Sequence, residues 1–209
     1  MLRLSRALFI ALALLTAALP AQAARAPKTT LTAAGDMMLG DPKAKVQVVE
    51  YASLTCPHCA RFNQDVFAPF KARYVDTGKA GYTLKEMLTS PPEVAAAGFM
   101  LARCTGQDRY FSVVDEIFKN QDEMFGEAGP RPVLLRIAQG AGLNEAQFLA
   151  CIRDEKALDA VYARAMRAGR DDKINSTPTV MINGKLVAEG EMTFADLEAA
   201  IAKARKARR

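Results

Sequence analysis

The spacing of apolar positions changes several times along this chain, and each change marks an element. "ALFIALALLTAAL" (Ala7 to Leu19) is an almost unbroken apolar run. Residues 24–45 have no sustained pattern and read as a loose lead-in ending in the turn "GDPKAK". "VQVVEYA" (Val46 to Ala52) is short and rich in β-branched residues, which predicts a buried strand. A helix should follow through "RFNQDVFAPFKARYV", where Phe62, Val66, Phe67 and Phe70 recur at helical spacing. Pro69 should bend it and Gly78 end it, and "GYTLKEML" then suits a second strand.

From Pro91 to Gly169 the pattern is helical throughout. "PEVAAAGFMLARC" is one piece, and "DRYFSVVDEIFKNQ" is another, with Tyr110, Val113, Val114, Ile117 and Phe118 on one stripe. "RPVLLRIAQ" opens with Pro132 and closes at Gly140 and Gly142. Asn144 is placed to cap "EAQFLACI", with Gln147 three residues on as in a capping box. Strand signals return in "TPTVMI", the turn Asn183-Gly184 and "KLVA", a hairpin by its turn residues. Thr193 caps a closing helix, "FADLEAAIAKARK". Strand, helix, strand, helical block, hairpin and helix together predict an α/β sheet domain over residues 46–90 and 171–205, with an all-helical insertion over 91–170.

The first residues change the picture of where the chain works. Arg3 and Arg6 precede the apolar run without an acid, and Pro20 and "AQA" follow it, so residues 1–23 read as a secretory signal cut after Ala23. A membrane anchor is the alternative, but thirteen residues of helix span ~20 Å against a hydrocarbon core of ~30 Å. No cysteine lies near the cut, which argues against a lipid-anchored form. About 186 residues would remain, enough for one domain with a sizeable core. An apolar content of 50% and a charged content of 24% exclude a disordered chain. Without the signal the formal charge falls from +5 to +3, much of it in "KARKARR". No aromatic residue interleaves with those cations, so nucleic-acid binding gains no support; cations at a helix end suit its dipole.

The chemistry sits in "VVEYASLTCPHCARF", where Cys56, Pro57, His58 and Cys59 stand at the handover from strand to helix. Unpaired N–H groups and the dipole of the first helical turn stabilise a thiolate at Cys56, and a charged His58 would add to them. A cysteine so placed can fall from a pKa of ~8.5 to ~3.5. Holding down the reduced form makes the disulfide a donor, and a low pKa makes Cys56 a good leaving group. Zinc is a weak alternative, because Cys104 and Cys151 are separated by 46 residues in another block and form no second knuckle. A thiol hydrolase needs a histidine base elsewhere, and His58 is the one histidine in the chain. A binding or chaperone module with a structural CPHC staple gains little from so small a loop.

CPHC, the helical insert and the late "STPTVMING" resemble the DsbA-like thiol:disulfide oxidoreductases of bacterial envelopes, which have the thioredoxin fold, and the resemblance spans residues 24–209. It implies an exposed nucleophile at Cys56, a buried resolving thiol at Cys59, and a cis-proline at Pro178 lying against them. Backbone at Ser176 and Thr177 would pair with a substrate peptide. Glu50, six residues before Cys56, matches a buried acid that relays the proton of the resolving thiol, an ordinary strand-face charge being the alternative. Thr177 departs from the valine that precedes cis-proline in the strong oxidases and is familiar in isomerases, so the redox direction stays open. Isomerases usually carry an N-terminal dimerisation domain, for which residues 24–45 leave no room. Cys104 and Cys151 suit a structural bridge in an oxidising compartment, two inert buried thiols being the alternative. Implied besides are a monomer in the periplasm, newly secreted thiol proteins as substrates and a quinone-linked membrane protein (DsbB-like) as reoxidant. No cofactor and no metal are expected.

Overall fold

The computed structural model describes residues 27–207; the predicted signal, its cut after Ala23, and Arg208 and Arg209 lie outside them. Six strands form one sheet in the order β1-β2-β4-β3-β5-β6. They are β1 Thr29–Leu31, β2 Met37–Gly40, β3 Val46–Ala52, β4 Ala80–Glu86, β5 Thr179–Ile182 and β6 Lys185–Glu189. β3 runs parallel to β4, with Val46 opposite Ala80, and antiparallel to β5, with Glu50 opposite Val180. That parallel pair needs a crossover, which the helix α1 over 57–75 provides.

Two strands therefore stand where the sequence suggests a loose lead-in. β1 and β2 have three and four residues, too few for an alternation to be visible. Tertiary pairing supplies what the local pattern lacks: β2 lies antiparallel to β4, and Met37, Met38 and Leu39 are all buried. α1 passes Pro69, which has no N–H to give, by way of two wide turns. In these, Ala68 N–H bonds to the Asn63 carbonyl and Asp76 N–H to the Lys71 carbonyl, five residues back rather than four.

Six helices lie between β4 and β5: α2 Pro92–Cys104, α3 Gln107–Lys119, α4 Gln121–Met124, α5 Pro130–Gly140, α6 Glu145–Ile152 and α7 Glu155–Arg170. α8, Phe194–Lys206, closes the chain against the sheet. Both sequence-predicted capping residues cap: Asn144 takes the Gln147 N–H, and Thr193 takes the Asp196 N–H. The buried face of α2 mixes small residues, Ala95, Ala96, Gly98 and Ala102, with Phe99 and Leu101. A Cβ at Gly98 would lie 2.8 Å from Leu54 Cδ1, so any larger residue there would make the Leu54 side chain shift in the loop before Cys56.

Two devices fasten the helical block. Cys104 at the end of α2 is disulfide-bonded to Cys151 in α6, with Cα atoms 6.0 Å apart and a sequence separation of 47. A loop of that length contributes ~4 kcal/mol on the chain-entropy model. Glu86, the last residue of β4 and 1% exposed, receives Arg103 Nε (2.6 Å), the Tyr110 hydroxyl (2.9 Å) and Arg164 Nε (2.7 Å). One carboxylate at a strand end thus joins the sheet to α2, α3 and α7.

Candidate active site

β3 delivers the chain to the site. After Ala52 the loop Ser53–Thr55 turns the backbone, and Cys56 N–H bonds back to the Ser53 carbonyl at 3.1 Å. Cys56 then caps α1 with extended backbone (φ −86°, ψ 118°), and Pro57 takes the first helical position, where a missing N–H costs nothing. The Cys56 carbonyl accepts from Cys59 and Ala60, and also from Gln121 Nε2 of α4 at 3.2 Å. Gln121 also donates to the Leu54 carbonyl at 2.8 Å, so the helical block grips the loop on both sides of Thr55. A single glutamine at a helix start gives no sequence signal for that role.

Cys59 is fully buried, as expected of the inner thiol. Cys56 is also buried, at 6% exposure, which corrects the expectation of an exposed nucleophile. The cover is the loop before β5: Thr177 lays its carbonyl 3.4 Å from Cys56 Sγ, within reach of the thiol proton. The Thr177–Pro178 peptide is cis, and Pro178 is buried beneath it. Thr179 Oγ1 donates to the Ser176 carbonyl at 2.9 Å, and Gly190 N–H donates to the Pro178 carbonyl at 2.7 Å, fixing the loop from both ends. Both cysteines are free thiols here.

The pKa values of the two thiols are driven apart by hydrogen bonding and burial. Hydrogen bonding from the Cys59 thiol, then from the Thr177 side chain and the backbone N–H groups of Cys59 and His58, lowers the Cys56 pKa from 9.0 to about 5 against the pull of burial. Burial first, then the contact with Cys56 and the nearby Glu50 carboxyl, pushes Cys59 well up. His58 thus acts on Cys56 through its backbone. Its half-exposed ring turns to the loop after β6 instead, where Nδ1 lies 2.7 Å from Glu191 Oε1. Arg61 Nε donates to the same carboxylate oxygen at 2.8 Å. Beside this cluster runs a groove of about 420 Å³ walled by Phe62, Val66, Met192 and Phe194.

Glu50 lies on β3 behind the cysteines, 2% exposed, so it is no solvated strand-face charge. Burial raises its pKa from 4.5 to about 8, partly opposed by a 2.5 Å hydrogen bond from the Tyr82 hydroxyl to Oε2. Oε1 is buried and has no hydrogen-bond partner. The site residues named from sequence therefore gather around Cys56, except Cys104 and Cys151, which are bonded to each other and so are not available as metal ligands beside it. Among the described residues, no group of three or more His, Cys, Asp or Glu side chains could hold a metal ion. None of their helices is long and apolar enough to cross a membrane.

A comparison with protein-family models finds the model described as "Thioredoxin" over residues 32–203. The chain belongs to the thioredoxin family. Within the family it is DsbA-like. The crystal structure of Wolbachia pipientis α-DsbA1 superposes with a TM-score of 0.74 at 30% identity, over 85% of this chain and 94% of that one. A relative in Rickettsia bellii, named "Putative protein-disulfide oxidoreductase", is 33% identical over 170 residues, 81% of this chain and 64% of that protein. The corresponding Rickettsia typhi relative is matched over 55% of its length, so the chain spans rather more than half of these relatives. Oxidised BdbD from Bacillus subtilis shares the fold, with a TM-score of 0.72 at 20% identity, over 87% of this chain and 98% of that one.

Proposed function

We propose that this chain is a thiol:disulfide oxidoreductase that introduces disulfides into secreted proteins outside the cytoplasm. The observation that carries the reading is the pairing of Cys56, held towards its thiolate at the start of α1, with Cys59, held as a thiol by burial beneath it. In the oxidised enzyme a substrate thiolate attacks Cys56 Sγ. The Cys56–Cys59 bond breaks, and Cys59 leaves with the electron pair and takes a proton from Glu50. A second substrate thiolate then attacks the substrate sulfur of the mixed disulfide, and Cys56 departs as the thiolate. The substrate loses two electrons and the dithiol enzyme gains them. Glu50, with a pKa of about 8, is poised to give that proton near neutrality and to take it back during reoxidation.

In this reading the backbone at Ser176 and Thr177 pairs with the substrate strand, and the groove beside His58, with its Phe62, Val66, Met192 and Phe194 wall, takes side chains of an unfolded segment. In this reading residues 1–23 export the chain to the periplasm, it works as a monomer without a cofactor, and a quinone-linked membrane protein reoxidises it. Residues 46–90 and 171–205 form the catalytic unit, and 91–170 the insertion. A reductase or isomerase is the second reading, favoured by threonine rather than valine at position 177, before the cis-proline. The test is Cys56→Ala, assayed for oxidation of a reduced, unfolded substrate protein in a glutathione buffer. Exchange should be lost entirely. A variant that keeps it would sink the reading.

A further inference from the structure

Tyr82 stands on β4 beside the strand that carries Glu50, and sequence reasoning assigns it nothing beyond a strand position. It is 3% exposed. Its ring is walled by Phe67, Phe111 and Phe70, with centroids at 4.4, 5.8 and 6.2 Å, so the hydroxyl cannot swing away from Glu50 Oε2. That leaves one carboxyl oxygen committed and one, Oε1, buried without a partner.

We propose that Tyr82 is a positioning residue of the redox site, whose hydroxyl holds Glu50 by Oε2 and leaves Oε1 to exchange the proton of the Cys59 thiol. This rests on the reading of Glu50 as the proton carrier. The hydroxyl does two things at once. It fixes the carboxyl's orientation, and as a donor it favours the charged form, offsetting part of the cost of burial. Burial keeps Tyr82 itself protonated far above neutrality, so it remains a donor through the working range. The other titratable groups facing the pair are Cys56 and Cys59 from the start of α1 and Tyr110 from α3.

The experiment follows reoxidation of the reduced full chain by excess glutathione disulfide across a pH series. Samples are acid-quenched and peptide-mapped, so that the Cys56–glutathione intermediate is counted apart from Cys104–Cys151. In the resolving step the Cys59 sulfur attacks Cys56 Sγ, glutathione leaves as its thiolate, and the Cys59 proton passes to Glu50. Cys56 is bonded throughout and does not titrate, so the pH midpoint of this step reports on Glu50 and Cys59. Tyr82→Phe keeps the ring and should move the midpoint up by about one pH unit, slowing resolution roughly tenfold below it with an unchanged plateau at high pH. Glu50→Gln should abolish the pH step, and adding Tyr82→Phe to it should change the rate no further. If Tyr82→Phe leaves the midpoint in place while Glu50→Gln removes the step, the proposal falls and the reading of Glu50 survives, whatever happens to thermal stability. If Glu50→Gln keeps the step, that reading falls and the proposal with it.

Discussion

Cys56 carries a low pKa although it is almost wholly buried, because hydrogen-bond donors gather at its sulfur: the Cys59 thiol, the Thr177 side chain, and the N–H groups of the first helical turn. The thermodynamic consequence belongs to the reduced protein alone. A group whose folded pKa is depressed contributes its full stabilisation above its unfolded pKa, and that contribution is lost as pH falls through the folded value. For Cys56 the window runs from 9.0 down to about 5. The reduced protein should therefore gain stability relative to the oxidised protein as pH rises through that window. At neutrality the contribution is on the order of 3 kcal/mol. Parallel denaturant melts of the two forms between about pH 5 and pH 8 measure it. A stability difference that does not change with pH would contradict the account. The residues behind this behaviour are unequally legible. Cys56, Cys59, Glu50 and Pro178 stand in a recognisable order along the chain. Tyr82, Gln121 and Glu191 reach the same site from 32, 65 and 133 residues away from the groups they contact, and nothing local marks them.

At the scale of elements, what sequence reveals is what is long or chemically punctuated. β3 is readable from seven residues of largely β-branched and apolar chain, α6 from its capping box and α8 from its Thr193 cap. β1 and β2 are not, because strands of three and four residues exist only through their pairing. Glu86 escapes for a related reason: at the end of a strand it looks like a solvated charge until α2, α3 and α7 close over it. Removing one partner of such a buried cluster strands the rest, and two guanidinium groups would be left facing a neutral amide. Glu86→Gln should therefore cost at least about 3 kcal/mol of unfolding stability by denaturant titration, with the Cys56 site unaltered in the folded fraction. A loss below about 1 kcal/mol would show that the block is held by its apolar contacts and its disulfide alone.

The whole molecule divides its work between a sheet that presents Cys56 at a helix start and a helical block that grips the loop leading to it. The sheet supplies the chemistry: β3 leads through Ser53–Thr55 to the cysteines, β5 begins just after Pro178, and Glu50 and Tyr82 sit on adjacent strands behind them. The block supplies rigidity, through Gln121 on the Cys56 carbonyl and through Arg103, Tyr110 and Arg164 on Glu86, at the end of β4 that lies beside Ala52. Whether that arrangement makes a donor of disulfides is a question of the reduction potential of the Cys56–Cys59 couple. A Cys56 pKa of about 5, against about 7 in thioredoxin, favours the reduced form at neutrality by a further ~2.3 kcal/mol, or about 50 mV. Mature protein equilibrated in graded glutathione buffers, acid-quenched, alkylated and peptide-mapped to keep Cys104–Cys151 separate, gives the value directly. The account predicts a potential near −220 mV or above, well clear of the about −270 mV of thioredoxin. A value at or below thioredoxin's would contradict the donor role and make this a reductase or isomerase.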